Sequence, residues 1–542
     1  MLHQLTDVNY FVLEKMMATA YDEIQYVSFP YQQSHPDKLA AVAKLLGLNP
    51  PKIETARVLE LGCASGNNLI PIAENLPNAK FLGIDYSEPQ VAAGKKTIEE
   101  LGLKNIELRQ ANIMDIGPKE GLFDYIIVHG IFSWVPKEVQ EKILEICKKN
   151  LTPDGVAYVS YNVLPGWRMR GMIRDMMLYH IKRFATPQQK LQQARGLLEF
   201  LVKSVPTDNN PYGLFLKSEL ELLRQQSDNY LFHDHLEENN SPCYFHEFIE
   251  RASAHGLSYL GDADMRTMAT HDLHEDAKKL LTTAPNQIES EQYMDFLRNR
   301  MFRMTLLVHS GKQTVLQVNT RQIRDFMIAG TLRVKENGPA LHSNEPETYI
   351  VPTGGEATAR DPLVKAAVRV LNESWPERIS FDKLVELSSQ KLGLQVPTDQ
   401  AGIDRVVDQI GSAILLFYTG LPMGAIELSL RPLGATREFL QKPKVPALVR
   451  KQAGIDGVLT NLRHQTIRVG DFEKFVLPLL DGTRDKKGIL TSLQELVQKQ
   501  QLQIRENNIL IVDPEKVLSI LEKQLDQVIL ILGLNSLLLS GK

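Results

Sequence analysis

Cysteine is scarce in this sequence, and long apolar runs are missing. Only three of the 542 residues are cysteine, and no two of them form a CxxC pair. A disulfide framework and a zinc site built from cysteine pairs are therefore excluded. The first residues lack a basic segment followed by an apolar core, so we expect no signal peptide. The longest uncharged apolar stretch, residues 527–541, is about 15 residues long and too short for a membrane span. We expect a cytoplasmic protein.

An excess of positive charge is also missing. The 61 Lys and Arg residues are balanced by 65 Asp and Glu residues, which gives a formal net charge of -4. This excludes a strongly basic nucleic-acid binder, and we expect no nucleic-acid partner. Apolar residues make up 43% of the chain, enough for ordinary hydrophobic cores. At roughly 150 residues per domain, the length predicts three or four compact units.

Short apolar runs alternate with amphipathic helical segments from Ala56 onward. The runs are RVLELG, FLGID, IELRQAN, FDYIIVHG and VAYVSYN. Such alternation predicts an α/β fold, a Rossmann-like parallel sheet with helices on both faces. Residues 168–240 are mostly helical and interrupt the alternation. It resumes with a helix at 245–255 and strands at 257–260 and 302–309. We therefore interpret the interruption as an insertion within one domain.

These patterns predict a domain organisation with a helical C-terminal region. In that region, VGDFEKFVLPLLDGTRDKKGILTSLQELV places two helices around a Gly-Thr turn, as winged-helix folds do. A stretch rich in Gly, Pro, Glu and Thr predicts a linker. The predicted units are an N-terminal helical lid (1–55), a Rossmann-like core (56–167), a helical insertion (168–240), the completion of that domain (241–336), the linker (337–362) and a winged-helix-like region (363–542).

The sharpest local signal is the segment RVLELGCASGNNL at 57–69. A strand leads into a glycine turn and then a helix, and Gly62 and Gly66 allow the tight turn and leave space for a ligand. A dinucleotide site needs G-x-G-x-x-G, whereas the spacing here is G-x-x-x-G. Glu60 would repel a pyrophosphate, but its carboxylate suits the cationic amino group of S-adenosylmethionine.

Polar side chains also follow the next two predicted strands. Asp85 ends FLGID, where a carboxylate can accept hydrogen bonds from both ribose hydroxyls, and the amide of Asn112 can address the adenine edge. Ligands of open α/β sheets bind at the carboxyl ends of the strands. A glycine turn that serves packing alone does not explain polar groups at three consecutive strand ends, so we predict a cofactor site.

The motifs ELGCASGNN, GIDYSEPQ, FDYIIVHGIFSWVP and LTPDGVAYVSYNVLPGW resemble those of class I S-adenosylmethionine-dependent methyltransferases. More narrowly, the chain resembles bacterial proteins that carry a methyltransferase regulatory domain, and among them the rickettsial lysine methyltransferases that modify an outer-membrane protein. YDEIQYVSFPYQQSHP, YFHEF and EQYMDFLRNRMFRMTLL add to the similarity. The resemblance implies methyl transfer to lysine ε-amines of a protein, such as an outer-membrane or surface protein. It also implies a regulatory segment within 241–336 and a homodimer.

The resemblance carries cofactor contacts over to individual positions. Tyr26, with Tyr21 and His35, would form a lid over the cofactor or, alternatively, would fasten the N-terminal helix to the sheet. Alanine stands at position 64 where many relatives have glycine, and asparagine at 112 where aspartate is common. The implied cofactor-binding residues are Tyr26, Glu60, Gly62, Cys63, Ala64, Gly66, Asp85, Tyr86, Asn112, Ile113, His129 and Gly130.

The segment after the fourth strand faces the transferable methyl group in class I enzymes. Aromatic side chains there would hold an amine by cation–π contact and exclude water, although Phe132 and Trp134 could equally pack against the following helix. We assign no general base, because transfer to a deprotonated amine depends mainly on alignment and desolvation. The predicted substrate-channel residues are His129, Phe132, Trp134, Tyr161, Asn162 and Trp167.

Alternatives to lysine methylation remain at this stage. One is a methyltransferase acting on small molecules or on other nitrogen or oxygen acceptors. Another is a non-catalytic, cofactor-binding regulatory module. A metal site is not predicted, because the His233-Asp234-His235 cluster with His246 has no further ligand spacing to support it.

Overall fold

The computed structural model describes residues 28–313, 320–336, 338–455, 457–506 and 509–541. Tyr21 and Tyr26 of the predicted lid lie outside the described residues. Within them, none of the helices is both long and apolar enough to cross a bilayer.

A seven-stranded sheet in the order β3-β2-β1-β4-β5-β7-β6 forms the centre of the protein. Strands β1 to β5 are parallel, and β7 lies antiparallel between β5 and β6. The predicted Rossmann-like α/β class is confirmed. The strands are β1 (Arg57–Leu61), β2 (Lys80–Asp85), β3 (Ile106–Gln110), β4 (Phe123–Val128), β5 (Leu151–Asn162), β6 (Leu257–Asp262) and β7 (Phe302–His309).

Helices cover both faces of this sheet because its strands are apolar on both sides. In β1 and β4 the last four residues are all buried. The parallel register aligns Leu61 with Ile84 and Val128, so the carboxyl ends of β1, β2 and β4 meet at one edge. The helices are α1 (Pro36–Leu45), α2 (Leu69–Asn75), α3 (Glu88–Leu101), α4 (Lys137–Lys149) and, after the insertion, α9 (Phe245–Ala254).

The segment between β5 and α9 is helical and has its own apolar cluster. Ile173, Leu198 and Leu220 belong to this cluster, which is separate from the two that flank the central sheet. The insertion begins directly after β5 and returns as a bridge between Val163 and Cys243. It therefore lies at the carboxyl edge of the sheet. Its helices are α5 (Trp167–Ile181), α6 (Pro187–Ser204), α7 (Pro211–Arg224) and α8 (Asp228–His235).

Two helices, α10 (Glu275–Thr282) and α11 (Gln287–Arg298), precede β7 and help to enclose a cluster of buried charges. Arg303 of β7 is completely buried. Its Nη2 atom donates to Oε2 of Glu291 at 2.8 Å, and its Nε donates to Oδ2 of Asp295 at 2.9 Å. Asp262 of β6 lies 3.4 Å from Nη1 of the same side chain. These ion pairs join α11 to the sheet, because Glu291 and Asp295 lie on α11 and Arg303 lies on β7.

The stretch 338–362, predicted as a linker, is folded. Strands β9 (Arg333–Val334), β10 (Glu347–Ile350) and β11 (Glu356–Ala359) form an antiparallel sheet, and Tyr349 is fully buried. Gly and Pro residues in this stretch mark turns between short strands, and an extended linker is the wrong interpretation.

Residues 363–440 also depart from the predicted boundary. Val368 and Tyr418 pack in the same apolar cluster as Leu39 of α1 and Val58 of β1. This part of the chain therefore shares a core with the Rossmann-like domain and is not a separate C-terminal unit. Two of its strands pair with β8 (Met327–Gly330), which precedes the predicted linker. Its elements are α12 (Pro362–Ser374), β12 (Ile379–Ser380), α13 (Phe381–Lys391), α14 (Gln400–Val406), a π-helical turn (Val407–Gly411), α15 (Ser412–Gly420) and β13 (Ile426–Ser429).

The last part of the chain has a separate core, which runs from Val445 to Leu538. The two helices predicted around a Gly-Thr turn are α17 (Asp471–Val476) and α18, with Gly482 between them. This domain contacts the Rossmann-like domain directly, since Oε1 of Glu74 accepts from the backbone N–H of Ala447 at 2.5 Å. Its elements are α16 (Ala447–Ala453), β14 (Val458–Thr460), β15 (Thr466–Arg468), α17, α18 (Lys486–Gln498), β16 (Arg505–Glu506), β17 (Ile509–Leu510) and α19 (Pro514–Leu534).

Candidate active site

The glycine turn after β1 contains three left-handed backbone conformations. Gly62, Ala64 and Gly66 have φ of 73°, 47° and 75°. A Cβ on Gly62 would lie 2.6 Å from Cγ2 of Ile131, and one on Gly66 would lie 2.8 Å from Cδ1 of Leu108. Backbone conformation and close packing therefore both require glycine at these two positions. Ala64 occupies a left-handed conformation that favours glycine.

Asp85 at the end of β2 holds this turn. Its Oδ2 accepts from the N–H of Ala64 at 2.7 Å, and its Oδ1 accepts from the N–H of Ser87 at 2.9 Å. Burial raises the pKa of the carboxyl, and the backbone donors oppose that shift. Each oxygen has a second lone pair, so the carboxylate can accept further hydrogen bonds from a ligand.

Glu60 is buried at the end of β1, with only 3% of its surface exposed. Its Oε1 accepts from Nδ2 of Asn68 at 2.8 Å, whereas its Oε2 has no partner among the described residues. Burial raises its pKa to about 8, against the opposing effect of Asn68. A buried carboxyl with one open oxygen fits the ammonium group of S-adenosylmethionine, which would restore the charged form.

Asn68 connects three parts of the chain at this point. Its Oδ1 accepts from the N–H of Tyr31 at 2.9 Å and lies 2.7 Å from Nε2 of His464. Its Nδ2 also reaches Oγ of Ser34, at 3.0 Å. Sequence reasoning missed this residue. The available signal was its position as the last asparagine of GNN at the start of α2, next to the glycine turn.

His129 follows β4 between two tyrosines. Its ring centroid is 3.8 Å from that of Tyr31, and its Nδ1 lies 2.8 Å from the hydroxyl of Tyr158. Burial lowers the pKa of the imidazole to about 3. The ring is therefore neutral near pH 7 and a weak base, as expected for a residue without a general-base role. Gly130, with φ of 71°, continues the turn.

Other predicted cofactor residues lie along the same edge. Tyr86 directly follows β2 and is 44% exposed. Oδ1 of Asn112 accepts from the N–H of Met114 at 2.9 Å and so caps a short 3₁₀ helix, while Ile113 is partly buried beside the sheet. Burial strongly raises the pKa of the Cys63 thiol, which makes it a packing residue rather than a nucleophile.

The structure divides the predicted substrate-channel residues into two groups. Phe132 is completely buried, and its ring packs edge-on against Phe248 at 5.2 Å. Tyr161 stacks on Phe248 at 4.0 Å, and Asn162 is also buried. A side chain without exposed surface cannot form a channel wall, so Phe132, Tyr161 and Asn162 are packing residues. Their apolar neighbours lie on α9, which follows the insertion.

Trp134 and Trp167 are in contact at the start of the insertion. Their rings are 6.0 Å apart in an edge-on arrangement. Trp167 is buried and lies beneath the guanidinium of Arg170, whereas Trp134 is half-buried. Trp134 and His129 are thus the predicted channel residues with accessible surface.

The histidine cluster of the insertion does not form a metal site. His233 and His235 lie on α8, where side chains two positions apart point to different faces. Among the described residues, no group of three His, Cys, Asp or Glu side chains is arranged to hold a metal ion.

His35, predicted as a lid residue, caps α1 by accepting from the N–H of Asp37 at 3.1 Å.

The strand order, the glycine turn and the carboxylates at the ends of β1 and β2 define a class I S-adenosylmethionine-dependent methyltransferase. Family models match residues 53–210 as a methyltransferase domain, 227–309 as a predicted methyltransferase regulatory domain and 441–537 as the PKMT C-terminal winged helix domain. The last match places the winged-helix boundary near residue 441, so only the second part of the predicted 363–542 region belongs to it.

Comparison with individual proteins identifies the family. The chain is 37% identical over 509 residues to the uncharacterized protein RP789 of Rickettsia prowazekii, covering 93% of this chain and 90% of that protein. The structure of PKMT2 from Rickettsia typhi is similar with a TM-score of 0.85 and 32% identity, covering 95% of this chain and all of that one. A second structure of PKMT2 contains AdoHcy. The chain belongs to this PKMT family, and its cofactor is S-adenosylmethionine.

Proposed function

We propose that the protein transfers the methyl group of S-adenosylmethionine to lysine ε-amines of a protein substrate. The observation that carries this proposal is the neutral, aromatic environment after β4, where His129 lies between Tyr31 and Tyr158. A lysine amine with a pKa near 10.4 must lose its proton before it attacks. A desolvating environment favours the neutral amine, and aromatic faces can align it.

The residues that would hold the cofactor lie along the carboxyl edge of β1, β2 and β3. Glu60 would pair with its ammonium group, Asp85 would accept from its ribose hydroxyls, and Tyr86 with Asn112 and Ile113 would enclose the adenine. When bound, the cofactor supplies an activated methyl group on a sulfonium. The chain's contribution is to orient this group toward the surface between His129 and Trp134 and to exclude water.

The helical insertion would select the substrate. Its returning segment is fastened to the loop that carries Trp134, because the N–H of Ser241 donates to the carbonyl of Ser133 at 2.8 Å. Nδ2 of Asn162 also lies 3.3 Å from Oδ1 of Asn240. Residues of the insertion therefore border the path to the methyl group. An outer-membrane or surface protein as substrate, a homodimer and a cytoplasmic location stay predictions.

Labelling of a whole lysate with cofactor carrying a tritiated methyl group tests the proposal. We expect labelled protein bands with the wild-type enzyme and none with the Asp85→Ala variant. A labelled soluble metabolite would favour a small-molecule methyltransferase. Cofactor binding without any label would favour a non-catalytic regulatory module.

A further inference from the structure

A cavity of about 530 Å³ lies where three parts of the chain meet. Lys38 of α1 lines one wall, Glu427 of β13 lines another, and Arg463 of the C-terminal domain lines a third. Neither the family comparison nor the methyl-transfer reaction requires a site at this junction. A volume between about 300 and 1,000 Å³ is typical of cavities that hold a small ligand.

Cations dominate the lining of this junction cavity. The two carboxylates that line it are already paired, since Nη1 of Arg378 donates to Oδ2 of Asp37 at 2.8 Å and Nε of Arg463 donates to Oε1 of Glu427 at 2.9 Å. The cationic residues that line it are Lys38, Arg378, Arg431, Lys442, Lys444 and Arg463.

Within the described part of the chain, the remaining cations have no carboxylate at hydrogen-bond distance. Nζ of Lys38 donates to the hydroxyl of Tyr418, a neutral group, at 2.5 Å. Nε of Arg431 lies 3.9 Å from Oε1 of Glu54, too far for a hydrogen bond. Lys442 and Lys444 belong to no described ion pair, although Lys444 lies near enough to Glu74 to favour its ionised form. Positive charge at this junction thus exceeds negative charge.

Bringing like charges together in a concave, partly desolvated space is costly unless an anion binds there. Burial lowers the pKa of the Arg431 guanidinium, Asp37 opposes this shift, and Arg378 adds to it. Flexible lysines beside forked guanidinium groups suit phosphate oxygens. We propose that the junction cavity binds a small, multiply charged anion that carries phosphate groups, either a free polyphosphate or the phosphate chain of a nucleotide.

Calorimetric titration of the full-length protein with inorganic tripolyphosphate tests this proposal, at low ionic strength and with saturating AdoHcy to fill the cofactor site. A parallel titration with ATP distinguishes the two sources of phosphate. We expect one site per chain and an affinity that falls at least about tenfold in the Lys442→Gln/Lys444→Gln variant. Both lysines are exposed, so this variant should keep the wild-type melting temperature.

Lys487→Gln/Lys523→Gln is the matched control, because it removes the same charge from exposed lysines outside the cavity. It should bind tripolyphosphate within about twofold of wild type. Binding of ATP alone, lost in the cavity variant and kept in the control, would support a nucleotide ligand. Absence of phosphate binding, or an equal loss in both double variants, would overturn the proposal. Binding of a glutamate-rich peptide, without binding of tripolyphosphate or ATP, would also overturn the proposal, because the cavity would then be a protein-docking surface.

Discussion

Nε2 of His464, in the winged-helix domain, lies 2.7 Å from Oδ1 of Asn68, at the start of the helix that follows the glycine turn. Asn68 in turn donates to the buried carboxyl of Glu60. Burial keeps the pKa of the His464 imidazole well below its usual range, so the ring is neutral and its N–H can donate to the amide oxygen. The C-terminal domain therefore takes part in positioning the residue that we assign to the cofactor ammonium.

Substitution His464→Ala should weaken AdoHcy binding although the residue lies in another domain. The amide oxygen of Asn68 would keep its hydrogen bond from Tyr31 but lose the one from His464, which weakens the positioning of the amide against Glu60. A typical hydrogen bond contributes about 1 kcal/mol, so we expect roughly a fivefold loss of affinity by calorimetry. Arg468→Ala, an exposed position on β15, is the control and should bind as wild type does. Equal affinity of both variants would exclude this connection.

Cofactor affinity should depend on pH through Glu60. The pKa of this carboxyl is raised from 4.5 to about 8, so the cofactor-free protein keeps a proton that an ammonium group would displace. Affinity for AdoHcy should increase as pH rises toward 8, by at most about tenfold per pH unit. The same shift lowers the stability of the cofactor-free protein as pH rises from about 4.5 to about 8, because the unfolded chain loses this proton first.

Calorimetry in buffers of different ionisation enthalpy checks the proton release directly. Below about pH 8, the wild-type protein should release a proton on binding AdoHcy. Glu60→Gln keeps an oxygen for Asn68 but removes the ionisation, so it should bind weakly and without this release. Wild-type binding that shows no proton release at pH values below 8 would contradict the assignment of Glu60.

Trp134 and Phe132 should respond differently to truncation although they are two residues apart. Trp134→Ala should lower turnover by about 10–100-fold with nearly unchanged cofactor affinity, because an accessible aromatic surface that aligns the amine is lost. Phe132→Ala should instead destabilise the fold by about 3–5 kcal/mol, because this ring is fully buried. Melting temperature, AdoHcy affinity and turnover measured on the same preparations separate the two effects. A large fall in melting temperature for Trp134→Ala, with activity per folded molecule preserved, would remove its proposed channel role.

Arg303→Met should destabilise the protein by about 3–5 kcal/mol, since it leaves the buried carboxylate of Glu291 without its ion pair. Among the described residues, Asp295 would keep only Arg300 as a charged partner. Chemical denaturation measures this change. Arg324→Met, which breaks an exposed pair with Asp382, is the control and should change stability by less than about 1 kcal/mol. Similar values for both variants would show that the buried cluster adds nothing to stability.

The sequence predicted those features that depend on local pattern. Strand periodicity predicted the apolar runs of β1 to β5. Short-range turn chemistry predicted the polar residues Glu60 and Asp85 at the ends of β1 and β2. The motif EQYMDFLRNRMFRMTLL was recognised by resemblance, but no role was predicted for its charged residues Glu291, Asp295 and Arg303. Their joint burial with Asp262 was visible only once β6 and β7 were paired in the sheet.

Contacts between distant segments could not be predicted in this way. Asn68 and His464 are separated by 396 positions, and no periodicity relates them. Phe132 and Tyr161 were placed in a channel because these strand ends face the transferable methyl group in class I enzymes, but Phe248 of α9 packs against both of them. The interpretation of 337–362 as a linker was wrong for a similar reason, because Tyr349 of β10 packs in the same apolar cluster as Val58 of β1.

Tandem mass spectrometry of the labelled substrate band tests the central claim most directly. The purified enzyme is incubated with S-adenosylmethionine and that protein, and the fragments are searched for methylated side chains. The account predicts methyl groups on lysine ε-nitrogens with the wild-type enzyme and none with Asp85→Ala. Methyl groups on carboxyl or hydroxyl oxygens, or an equal yield with Asp85→Ala, would contradict it.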